Sequence, residues 1–213
     1  MTGRPARARG LTLLFWPGLG LAVLLPVAIA ATSPYLAGRG LPYVISGFAG
    51  IFCLGFLLIQ PVLAAGYLPG LDAVTARKWH RRVGSSIIAG VALHVGGLYL
   101  TSAPDTLDAL LLVSPTPFSV YGVIAMWAVI LTAGLVALRR KMGLRYAAWR
   151  LIHNGLAAIV VVATVVHALQ IDGTMGTGSK WALCIAVLVM TTVSLLDLRV
   201  IRPLRLRRPG ATG

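Results

Sequence analysis

The chain has 213 residues, of which 58% are hydrophobic and only 11% charged. So apolar a composition, gathered in long uncharged runs, excludes a soluble globule and predicts an all-α fold, a polytopic membrane protein built as a six-transmembrane-helix bundle. The formal net charge of +14 comes from short basic clusters between the apolar runs and forms no basic helix or stripe, which excludes nucleic acid as a partner.

In chain order, residues 1–10 form a basic arm with Arg4, Arg7 and Arg9. The first apolar run, residues 11–31, is long enough to span a bilayer, and Pro17 and Pro26 interrupt it. Ala28-Ile29-Ala30 resembles a signal-peptidase site, but the run exceeds an ordinary signal h-region, so a retained span is expected. The second span covers residues 43–67, with Gln60-Pro61 near its end, and Pro69-Gly70 marks the turn that follows. The third span covers residues 79–101. Residues 102–119 form a loop with a short surface helix expected around residues 105–113. The fourth span covers residues 120–138, the fifth 149–171 and the sixth 181–198. Gly173 to Lys180 nearly spells a phosphate-binding loop, but Ser179 and Lys180 stand in the wrong order and the segment follows a helix, so it reads as a turn. The chain thus divides into a basic cytoplasmic arm (1–10), a six-helix transmembrane domain (11–200) and a basic cytoplasmic tail (201–213).

Charge orients the bundle. With the N-terminus inside, every one of the 19 Lys and Arg residues except Arg39 and Lys180 falls on the cytoplasmic side, while Asp105, Asp108 and Asp172 fall outside. The bias of short loops toward inner cations therefore predicts a multi-pass protein of the cell (cytoplasmic) membrane with both termini cytoplasmic. Trp79 and Trp149, at the inner ends of the third and fifth spans, fit an interfacial aromatic belt. The five acidic residues are all Asp, and none lies in the middle of an apolar run, which disfavours a proton pump or proton-coupled carrier. Cys53 and Cys184 lie inside apolar stretches and form no CxxC or C-x-x-C-H pattern, so any haem is expected to be held without covalent attachment.

The chemistry rests on the four histidines. His80 and His94 lie fourteen residues apart on the third span, and His153 and His167 lie fourteen apart on the fifth. On a helix that spacing rises ~21 Å and falls about 40° short of four full turns, so both members of a pair share one face. Two odd-numbered spans run in parallel, which sets His80 level with His153 near the inner surface and His94 level with His167 toward the outer one. Such a layout suits two stacked haems, each held by two axial imidazoles, with His80, His94, His153 and His167 as the iron ligands. Two axial ligands leave no position for oxygen and favour electron transfer. The alternative is a non-redox membrane protein whose histidines make interhelical hydrogen bonds. Gly90 and Gly97 flank His94, and Gly84 follows His80, leaving room for a flat ring; close helix packing explains the same glycines. Arg81, Arg82 and Arg150 stand beside the inner histidines as partners for haem propionates, or as plain interfacial anchors.

Trp79-His80-Arg81-Arg82-Val83-Gly84 with His94, and Trp149-Arg150-Leu151-Ile152-His153-Asn154 with His167, resemble the third and fifth spans of the ferric reductase and NADPH oxidase transmembrane domain. The likeness covers residues 43–200. It implies two b-type haems that conduct electrons outward, His80 and His153 on the inner one, His94 and His167 on the outer. Complete reductases continue into a cytosolic flavin and nicotinamide domain, and no GxGxxG follows the sixth span here. The resemblance therefore implies an electron-transfer, oxidoreductase-type membrane component fed by a separate cytoplasmic flavoprotein reductase or by quinol, with flavin or quinone entering through that partner. The outer-side acceptor is ferric iron, oxygen or a periplasmic redox protein. The chain is also similar to the haem-bearing membrane subunit of the periplasmic methionine sulfoxide reductase system, through Arg81-Arg82, Arg140-Lys141-Met142-Gly143 and the Trp149-to-Asn154 segment. That likeness implies a single-haem, quinol-linked subunit, and that family generally lacks a histidine at the place of His80.

Overall fold

The computed structural model describes residues 6–207; residues 1–5 of the expected arm and 208–213 of the expected tail lie outside the described residues. Among the described residues the fold is all helical. Six helices are long and apolar enough to cross a membrane. They are α1 (Ala6–Ala31), α2 (Leu41–Ala65), α3 (Ala73–Thr101), α5 (Pro117–Ala137), α6 (Tyr146–Leu169) and α7 (Thr177–Leu196). A short helix, α4 (Ala103–Leu110), lies between α3 and α5. A π-helical turn, Asp197–Ile201, joins α7 to α8 (Arg202–Arg207).

Several helices start earlier than expected, and at α3 a capping residue sets the start. α3 begins six residues before Trp79. The Asp72 carboxylate accepts hydrogen bonds from the Val74 N–H at 2.8 Å and the Thr75 N–H at 3.0 Å, satisfying amides that the first turn leaves unpaired. Those bonds, together with the Thr75 hydroxyl, hold the Asp72 carboxyl below the usual carboxylate range. Arg77 and Lys78 are consequently helical, not loop residues. The helix α1 includes residues 6–10 of the expected arm, and α8 includes part of the expected tail. The expected turn after the fifth span is shorter than Gly173 to Lys180, because α7 starts at Thr177. Lys180 is therefore in the first turn of α7, only 7% exposed, and its ammonium donates to the Ile171 carbonyl just past the end of α6.

The helix α2 forms the spine of the bundle, packed against α1, α3 and α7. Leu54 and Leu58 of α2 are buried in one cluster with Cys184 and Val187 of α7, and Val62 of α2 is buried in a second cluster against which Met190 of α7 packs. Lipid provides no hydrophobic drive between helices, so close backbone approach through small residues supplies the packing. A methyl group at Gly97 would lie 2.7 Å from Ser46 Cβ and 2.8 Å from the Pro42 carbonyl, and one at Gly90 would strike Cys53 Sγ. The helix α2 ends where Gly66 turns left-handed, at φ +70°, letting the Tyr67 N–H reach back to the Val62 carbonyl. Arg202 then ties α8 to this end by donating to the Ala65 carbonyl at 2.7 Å and to Asp197, which also accepts from the Tyr67 hydroxyl at 2.8 Å. The helices α5 and α6 form a second packed pair, less extensive than α2 with α3. The two pairs face each other through α3 and α6, which meet chiefly by side chains.

Candidate functional site

The facing surfaces of α3 and α6 carry all four histidines. His80 stands opposite His153, with ring centres 6.5 Å apart and ring planes crossed by 65°. His94 stands opposite His167, with centres 6.3 Å apart and planes crossed by 83°. The levels follow from helix rise: fourteen residues separate the members on each helix, and the two helices run parallel, so the pairs stack ~21 Å apart. The level of His80 and His153 is at the end of the bundle that carries the basic clusters.

Three of the four rings are held from behind by a neighbouring helix. His94 Nδ1 lies 2.8 Å from the Ser46 carbonyl of α2, and His167 Nδ1 lies 2.8 Å from the Phe118 carbonyl of α5. His80 Nδ1 lies 3.2 Å from the Gln60 carbonyl. A carbonyl oxygen only accepts, so in each case Nδ1 carries the proton and Nε2 keeps its lone pair. Three rings are thereby fixed as the tautomer that can ligate a metal through Nε2. The fourth, His153, has a buried Nδ1 without a partner among the described residues. It stacks instead on Trp149, ring centres 5.2 Å apart and planes within 10°.

Two glycines absent from the expected site make these contacts possible. The Ser46 and Phe118 carbonyls each lie four residues before a glycine, Gly50 and Gly122. A methyl group at Gly122 would lie 2.8 Å from both Cε1 and Nδ1 of His167, and one at Gly50 would lie 3.1 Å from His94 Nδ1. At the other level the corresponding position is Ala64, and the His80 bond to Gln60 is the longest of the three. Nothing in one sequence says which of its 24 glycines faces an imidazole on another helix. Gly90 and Gly97, expected beside the ring space, instead have that space filled by α2, for the packing reason given above.

The expected basic partners are also distributed differently. Arg81, Arg82 and Arg150 are exposed. Arg82 lies over the ring of Trp79, 5.0 Å from its centre, and Trp79 is itself 46% exposed, as an interfacial anchor would be. Arg150 lies over Tyr146, 5.5 Å from its centre. Trp149 departs from the belt reading, since its face covers His153. From another element, Arg199 in the π turn donates to Asn154 Oδ1 at 3.1 Å, next to His153 in the chain. Among the described residues no group of three His, Cys, Asp or Glu side chains converges. The arrangement thus offers two separate pairs of imidazoles, which suits a metal whose other ligands come from a macrocycle and not from the protein.

Residues 46–164 match the family described as ferric reductase like transmembrane component. The match runs from within α2 to within α6 and includes His80, His94 and His153. No curated protein and no solved structure matches the chain. Domains of the matching family are membrane electron-transfer components that typically bind haem and work with a redox partner. With more than half its length in the match and six apolar helices around paired histidines, the chain belongs to the ferric reductase like transmembrane component family.

Proposed function

We propose that the protein is a di-haem b-type cytochrome that moves electrons across the cell membrane, from a donor on the cytoplasmic side to an acceptor outside. The spacing of the histidine pairs carries this reading. A metal–imidazole bond is about 2.0 Å and the nitrogen sits about 1.1 Å from its ring centre, so two imidazoles on opposite sides of one iron would put their centres about 6.2 Å apart. The observed separations are 6.5 Å and 6.3 Å.

His80 and His153 would hold one haem and His94 and His167 the other. A bis-imidazole haem supplies a one-electron ferric/ferrous couple with no coordination position open to oxygen. The protein's own part is orientation and insulation. The Gln60, Ser46 and Phe118 carbonyls take the Nδ1 protons and leave three Nε2 lone pairs available as ligands. The packed pairs α2–α3 and α5–α6 present the histidines from the two sides. The clustering of nearly all cations near the His80–His153 level supports a cytoplasmic position for it. An inside-negative potential then favours outward movement of an electron by ~2.3 kcal/mol per 100 mV for a full crossing. A cytoplasmic flavoprotein or quinol suits the inner level as donor, and ferric iron, oxygen or a periplasmic redox protein suits the outer level as acceptor.

Haem extraction from purified protein tests the reading. A ratio near two haems per polypeptide is expected. A ratio near one would leave one pair of imidazoles without iron, and colourless protein after haem-replete expression would overturn the cytochrome.

A further inference from the structure

Three nitrogens at the basic end of α6 and α7 are buried without a hydrogen-bond partner among the described residues: Trp149 Nε1, His153 Nδ1 and Arg199 Nε. Unpaired buried donors are costly and rare, so a group of them calls for a missing partner. The three are neighbours. Trp149 stacks on His153, and Arg199 donates through Nη2 to Asn154, the residue after His153. Tryptophan and arginine nitrogens only donate. The missing partner is therefore an acceptor, and the guanidinium selects a negatively charged one.

No carboxylate among the described residues takes that place. Asp197, two residues before Arg199, turns toward α2 and is engaged by Tyr67 and Arg202. Asp72 caps α3. The one ion pair among the described residues is Arg202 with Asp197. Arg199 also sits in a π turn, a departure from regular helix that recurs where helices carry functional side chains. The unpaired nitrogens are buried at and around His153, whereas Arg81, Arg82 and Arg150 are exposed.

We propose that Arg199 Nε–H and Trp149 Nε1–H form a cradle for a carboxylate of the haem at the His80–His153 level. This rests on the reading that a haem occupies that level. Charge-assisted hydrogen bonds to the carboxylate would satisfy both donors and anchor one edge of the group. A phospholipid phosphate presents the same anionic oxygens, and the experiment separates the two.

The test uses full-length purified protein carrying Arg199→Gln, Arg199→Lys or Trp149→Phe. Trp149→Phe keeps the aromatic face on His153 and removes only the N–H, so it remains informative if Arg199→Gln fails to fold. Redox titration of the haem absorbance should show the midpoint of the inner haem shifted downward in Arg199→Gln, because an unpaired carboxylate favours ferric iron. Trp149→Phe should move it in the same direction, Arg199→Lys should restore most of the loss, and the outer haem should not move. Transfer of the inner haem to a haem-scavenging apoprotein should quicken roughly tenfold in Arg199→Gln. Wild-type midpoints and haem retention in both Arg199→Gln and Trp149→Phe would overturn the cradle and leave the di-haem reading standing. The same result with bound phosphorus reduced would assign the site to a lipid phosphate. Wild-type protein without haem would overturn cradle and reading together.

Discussion

His167 reaches the Phe118 carbonyl because residue 122 has no side chain. At that position a methyl group would sit 2.8 Å from two atoms of the imidazole, well inside van der Waals contact. Forcing a methyl into such a site costs about 1–3 kcal/mol, and the ring is the part free to move. Gly122→Ala is therefore expected to displace His167 and to weaken or abolish the low-spin signal of the outer haem, with the inner haem unchanged. Gly50→Ala, whose methyl would meet His94 at 3.1 Å, should act on the same haem more mildly. Absorbance and electron paramagnetic resonance spectra of the two variants check this, and an unaltered outer signal in Gly122→Ala would contradict it. The contrast also marks what single residues disclose. The four histidines announce themselves by spacing, since fourteen residues on a helix return to one face. Gly50, Gly122 and Arg199 carry no such signal, because their roles depend on which helix lies behind them.

At the scale of the helices, apolar runs locate the six spans because a bilayer demands about twenty apolar residues in each. Ends were less legible. α3 starts at Ala73 because Asp72 caps it, and the basic residues that follow continue the helix without help from apolarity. The signal, Asp72 three residues before Thr75, was present in the chain but lay outside the apolar run. The π turn after α7 had no sequence mark at all. Pairing of helices was equally hidden, as shown by Gly90 and Gly97. These glycines share a face of α3 with His94 in the sequence, yet the space they leave is taken by α2. Neighbouring glycines test that account. Gly97→Ala would drive a methyl onto the Pro42 carbonyl and Ser46, whereas Gly96 has nothing within 4 Å of its missing Cβ. Gly97→Ala should lower thermal stability in detergent by about 1–3 kcal/mol. Gly96→Ala should be neutral or stabilising by up to about 1 kcal/mol, the helix-propensity gain. Equal effects from both would contradict the α2–α3 packing.

Across the whole molecule, charge and histidines define one axis. Except for Arg39 and Lys180, the Lys and Arg of the described residues lie toward the end of the His80–His153 level, and Lys180 is folded onto α6. A cytoplasmic reporter fused at residue 213 should be active and a periplasmic one silent, as the distribution of cations requires; the reverse would invert the proposed direction of electron flow. The central claim is that α3 and α6 run parallel and share each haem between them. Spectra of the four single variants His80→Leu, His153→Leu, His94→Leu and His167→Leu test it most directly. Each substitution removes one axial ligand, so His80→Leu and His153→Leu should lose the same low-spin signal, and His94→Leu and His167→Leu the other. If His80→Leu and His167→Leu proved spectrally alike instead, the histidines would not be paired by level and the account would be wrong.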